Sequence, residues 1–155
     1  AAEWSGAFVV DRGAEKGGEG DLVVHARGGG EESRYVQVSV EQKGASFLVC
    51  FDTCAVAPYT VVNDCDVAIV VQQKGAAHRI AVAPGSKADF LWHEPLASLV
   101  MVVAAPNQHG ILHEFEIDPN ALGDPTPHGS PSPVVWTTVL LGESSRIVRI
   151  SRAVP

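Results

Sequence analysis

The stretch PYTVVNDCDVAIVVQQKG (58–75) sets two apolar runs on either side of a polar knot, Asn63, Asp64, Cys65 and Asp66. The flanking runs, 59–62 and 67–72, are short, rich in Val and Ile, and bounded by turn-forming residues, which is the pattern of β-strands rather than of helix. The knot between them reads as a hairpin loop. Asn and Asp suit such a place because their side chains bond nearby backbone amides and tolerate left-handed backbone angles. As a calcium site the knot is incomplete: Asp64 and Asp66 offer oxygens, but the twelve-residue loop closing on a bidentate Glu is missing.

The same alternation recurs outward in both directions, with candidate strands at 22–26, 35–42, 46–51, 78–82, 88–92, 99–104, 112–117, 134–141 and 146–151. Helical periodicity is almost absent. Many short strands separated by Gly-, Pro- and Asp-rich turns predict an all-β fold, an antiparallel β-sandwich with one buried face per sheet. The connections EKGGEGD (15–21) and ARGGGEE (26–32) are glycine-rich, Pro84-Gly85 is a tight turn, and GDPTPHGSPSP (123–133) is a proline-rich excursion unsuited to a central strand and expected to be mobile.

At 155 residues, 46% hydrophobic and 19% charged, the chain can bury one ordinary core, so a single domain over 1–155 is expected. A net charge of −7 without a Lys/Arg run excludes the basic stripe that nucleic acid requires. No apolar run reaches membrane-spanning length, and neither a Met nor a signal-like start is present, so the chain reads as a piece of something larger. Three cysteines, Cys50, Cys54 and Cys65, form neither a disulfide framework nor a CxxC pair; they fit small buried hydrophobes in a reducing, cytoplasmic setting. His109 and His113 stand four apart, a spacing that gathers metal ligands on a helix but not across a loop and a strand start. Trp92-His93-Glu94-Pro95 collects a base and a carboxylate without a nucleophile motif or a paired second carboxylate. No enzyme chemistry, metal or cofactor is expected.

The two ends of the chain echo one another. WSGAFVVD (4–11) is matched by ILHEFEID (111–118), and YVQVSVEQKGASFLVCF (35–51) by VVWTTVLLGESSRIVRI (134–150), about a hundred residues on in each case. One full repeat followed, from about residue 111, by the first strands of the next would give this pattern in a tandem array.

The order of Pro58-Tyr59, Val62-Asn63, Gln72, Pro84-Gly85 and the segment from Trp92 to Pro95 resembles a repeat of the adaptor-binding region of the vacuolar protein sorting-associated protein 13 family, also called the SHR-binding domain. These are bridge-like intermembrane lipid-transfer proteins, and the likeness spans nearly the whole chain. It implies one β-sandwich of a tandem array, with Asn63 as the organiser of the fold or adaptor site and Tyr59, Gln72, Trp92 and Pro95 as motif residues. It further implies a non-catalytic interaction module that takes Pro-x-Pro segments of organelle adaptor proteins by strand addition at membrane contact sites, alongside neighbouring repeats of its own chain. Two other readings stay open: a spacer repeat touching only its neighbours, and an unrelated sandwich such as a carbohydrate-binding module. The latter is disfavoured by ten aromatic residues placed mostly at inward strand positions. The chain's own triplets, Pro125-Thr126-Pro127 and Pro131-Ser132-Pro133, imitate the implied ligand; their plainer reading is a polar loop.

Overall fold

A computed structural model describes residues 22–27, 33–94, 97–107, 109–129 and 135–152. These form twelve strands and no helix: β1 (Leu22–Arg27), β2 (Ser33–Lys43), β3 (Ser46–Cys54), β4 (Tyr59–Asn63), β5 (Ile69–Gln73), β6 (Arg79–Val82), β7 (Lys87–Phe90), β8 (Met101–Pro106), β9 (Leu112–Ile117), β10 (Thr126–His128), β11 (Val135–Leu141) and β12 (Arg146–Ser151). The fold is all-β, as the alternation predicted. Among the described residues no helix is long and apolar enough to cross a membrane. The 4–11 half of the first echo, the glycine-rich segments 15–21 and 28–32, Pro95, and the triplet Pro131-Ser132-Pro133 lie outside the described residues.

Length and composition led to the expectation of one domain over 1–155; the chain gathers into two compact units, Ala1–Ala57 with Leu91–Ala97, and Pro58–Phe90 with Ser98–Pro155. In the first, β1, β2 and β3 form a three-stranded antiparallel meander. Gly44, at φ 64°, turns β2 into β3 through a left-handed conformation that only glycine adopts cheaply.

The second unit is a sandwich of a five-stranded sheet, β10-β11-β12-β4-β7, and a four-stranded sheet, β6-β5-β8-β9. The period-2 pattern explains the layers: β4 and β5 alternate strictly between buried and half-buried positions. Tyr59, Val61 and Asn63 of β4 point inward with Val148 and Ile150 of β12 and Phe90 of β7, and the opposing sheet answers with Ile69, Val71, Gln73, Val82, Met101 and Val103. Tyr59 and Phe90, paired across β4 and β7, meet edge to face at 6.3 Å.

Three features depart from the sequence-based expectation. First, β12 runs parallel to β4, although both sheets were expected to be antiparallel throughout. A parallel neighbour needs a long crossover, and the excursion through β5 to β11 provides it. Second, β4 and β5 belong to different sheets, so the knot at 63–66 carries the chain from one layer to the other and is not a hairpin loop. Either connection demands the same polar, turn-forming residues, which is why the local sequence could not separate them. Third, part of the proline-rich excursion is a strand: β10 pairs with β11, Thr126 opposite Thr137 and His128 opposite Val135. It lies at a sheet edge, the one strand position that tolerates a missing N–H.

Candidate functional site

Asn63 ends β4 with its side chain buried. Its Nδ2 donates to the carbonyls of Val67 (2.8 Å), Val82 (2.9 Å) and Ala83 (3.1 Å), and its Oδ1 accepts from the Cys65 amide at 3.0 Å. Its backbone is equally engaged: the amide donates to Ser86 O, and the carbonyl accepts from Gly85 N, both at 2.9 Å. Gly85 reaches that place at φ 64° in the turn Ala83-Pro84-Gly85-Ser86, closed by Ser86 N donating to Ala83 O. Proline at the second and glycine at the third position are the residues such a turn demands. One amide side chain thus joins the β4-to-β5 crossover to the β6-to-β7 crossover, the two places where the chain changes layers at this end of the sandwich. A carboxylate could only accept, and every carbonyl here needs a donor.

The acids of the knot are engaged from the outside. Arg149 Nε sits 3.2 Å from Asp64, and Arg152 spans Asp66 (2.9 Å) and the Pro106 carbonyl (2.9 Å). These pairs are solvent-facing and contribute little each, but they occupy the oxygens that a cation would use. Cys65 is buried, and burial pushes its thiol up, with the Arg152 charge opposing; its Sγ donates to Ile150 O at 3.7 Å. Among the described residues no three His, Cys, Asp or Glu groups could hold a metal ion. His113 faces Asn107 Nδ2 at 3.1 Å, while His109, four positions earlier, is exposed.

The other motif residues are dispersed. Tyr59 is buried and its hydroxyl donates to Asn120 Oδ1 at 3.3 Å. Gln72 lies on the outer face of the four-stranded sheet, between Arg79 and Val102 on the neighbouring strands. Trp92 is buried and belongs to the first unit. Asn63 and Tyr59 share the inward face of β4, while Gln72 lies on the outer face of the other sheet.

Sequence reasoning missed β10. Its Thr126-Pro127-His128 segment lies along the edge of β11, fastened by His128, whose ring stacks on Phe115 of β9 at 4.5 Å and whose Nε2 meets Thr137 Oγ1 at 2.7 Å. The signal was present in the alternation of Thr126 and His128 around a proline, but the prolines outweighed it. Burial holds His128 below its ordinary 6.5, so the fold favours the neutral ring. A folded value below the unfolded one means that the unfolded chain binds the proton more readily. The stabilisation is complete above pH 6.5 and is lost as pH falls through that value toward the folded one. Amide exchange in β10 is therefore expected to accelerate on acidification across this window, and His128→Phe, which keeps the stack but cannot titrate, is expected to remove the response. Exchange independent of pH after correction for intrinsic chemistry would refute it.

No protein-family model and no curated protein matches the chain.

Proposed function

We propose that the second unit is a non-catalytic interaction module that adds proline-bearing extended segments of partner proteins to a sheet edge, as one repeat of a cytoplasmic, bridge-like lipid-transfer protein acting at organelle contact sites. The observation that carries the reading is β10: this fold already places Thr126-Pro127-His128, with a proline at its centre, as an edge strand. Strand addition takes its affinity from main-chain hydrogen bonds, and prolines in the ligand stop the pairing from propagating. The edge offered to a partner is β9, six residues long and hydrogen-bonded to β8 on one side. Beside it, the outer face of the same sheet forms a shallow hollow of Val70, Val102, Ala104 and Leu112, rimmed by Gln72, Arg79 and Glu114. Leu112 is 65% exposed and suits the face of a proline ring. Glu116 is paired with Lys74 at 2.6 Å, so Glu114 is the acid here that would favour a basic residue flanking the motif.

A short peptide contacts little surface and loses freedom on binding, so a dissociation constant on the order of 10 μM is expected for a Pro-x-Pro peptide, weakened about tenfold or more when both prolines become alanine. Leu112→Asp is expected to abolish the signal without shifting the melting temperature, because the side chain is on the surface. Silence of a Pro-x-Pro panel in a fluorescence titration of the whole chain would defeat the reading and leave a spacer repeat, which contacts only its neighbours.

A further inference from the structure

The echo noted between 35–51 and 134–150 holds in three dimensions, pair for pair. In β11–β12 the partners include Thr137 with Ile150, Val139 with Val148 and Leu141 with Arg146. Moved back by 99 positions these become Val38 with Phe51, Val40 with Val49 and Gln42 with Phe47, all three of them pairs of β2–β3. The order of strands agrees as well: β10-β11-β12 in one sheet, β1-β2-β3 in the other. The two hairpins differ on the outer side of their last strand. Next to β12 lies β4, parallel, with Val61 opposite Val148 and Asn63 opposite Ile150. Next to β3, among the described residues, there is no strand.

The consequence appears in burial. Val148 and Ile150 are both fully buried, whereas Phe51, the counterpart of Ile150, is 63% exposed. Phe47 and Leu48 on the same strand are 46% and 43% exposed. A nine-residue edge with exposed aromatic and aliphatic side chains is a template for pairing, which proteins otherwise shorten, charge or cover. Asp52 is the only charge on β3, and it lies near its end, beyond the segment that corresponds to β12's pairing with β4.

We propose that the outer edge of β3 takes a parallel strand of the β4 kind, Tyr-x-Val-x-Asn, supplied by another unit of this same repeat. The shift of 99 positions sets the register: Val49 opposite the second-unit position Val61, Cys50 opposite Val62 and Phe51 opposite Asn63. Phe51 then gains the lateral neighbour that Ile150 has in Asn63. The inference concerns the first unit and is independent of the adaptor reading.

Cys50, a free thiol, makes the register testable in the intact 155-residue chain. Two peptides spanning residues 57–64 carry an activated mixed disulfide, one at Val62→Cys and one at Val61→Cys; attack by the Cys50 thiolate releases the aromatic thiol and leaves a protein–peptide disulfide. The Val62→Cys peptide is expected to label Cys50 at least tenfold faster than the Val61→Cys peptide, whose sulfur faces the other side of the sheet, with the site read by peptide mapping against Cys54 and Cys65. A scrambled peptide with cysteine at the same place should match the slow one. Equal rates for all three, or labelling centred on Cys54, would overturn the proposal.

Discussion

Asn63→Asp is expected to destabilise the second unit more than Asn63→Ala does. Alanine removes the donor of the Val67 and Val82 carbonyls and the acceptor of the Cys65 amide, while the Ala83 carbonyl keeps the Ser86 amide. Each such loss is worth about 1–3 kcal/mol, moderated where the crossover relaxes or water enters, so a net cost of about 3 kcal/mol is expected. Aspartate keeps the acceptor but turns an anion toward the oxygens of Val67, Val82 and Ala83 at a buried position. Protonation at low pH would relieve the repulsion, so the aspartate variant should regain stability on mild acidification while the alanine variant does not. For a chain of this size about 3 kcal/mol corresponds to a fall of roughly 6–12 °C in melting temperature. Thermal unfolding followed by circular dichroism at two pH values checks both statements. An unchanged melting temperature in either variant would return Asn63 to an ordinary turn residue.

The role of Asn63 was not legible from its neighbours, since a polar amide closing a strand and followed by acids reads as an ordinary turn; only the resemblance of the surrounding motif residues singled it out. Most strands were legible from their alternation with period 2, and β9 and β12 were placed at their observed bounds. Which layer each strand joins was not legible, because alternation says which side chains are buried and is silent about the sheet that buries them. Thus the knot at 63–66 read as a hairpin although it crosses between sheets, and β12 gave no sign of lying parallel to β4. β10 was lost through a correct rule taken too far: proline excludes a central strand, yet an edge strand of three residues has one side on which no donor is needed. His128 carried the missing signal only through contacts with Phe115 and Thr137, which no local pattern encodes.

Val148→Asp is expected to unfold the second unit at neutral pH, while Val49→Asp, its counterpart 99 positions earlier, is expected to leave that unit's melting unchanged. Val148 is fully buried at the centre of the five-stranded sheet, between Val139 of β11 and Val61 of β4, which are themselves buried. A carboxylate there has no cation or donor to meet it, and its desolvation exceeds about 5 kcal/mol, comparable with the whole stability of a domain. Val148→Ala, which only opens a small cavity, should cost about 2 kcal/mol and keep the fold, so that charge can be told from volume. Val49 has the same hairpin partner geometry but no strand on its outer side among the described residues, and its side chain is half-buried. Its aspartate can therefore remain hydrated. Amide exchange in β11 and β12 reports the second unit. Val49→Asp should reveal itself elsewhere, by slowing the labelling of Cys50 with the Val62→Cys peptide to the rate of the mismatched control. Equal sensitivity of the two valines in thermal unfolding would mean that β3 already has the cover that β12 takes from β4, and the open edge on which the pairing depends would not exist.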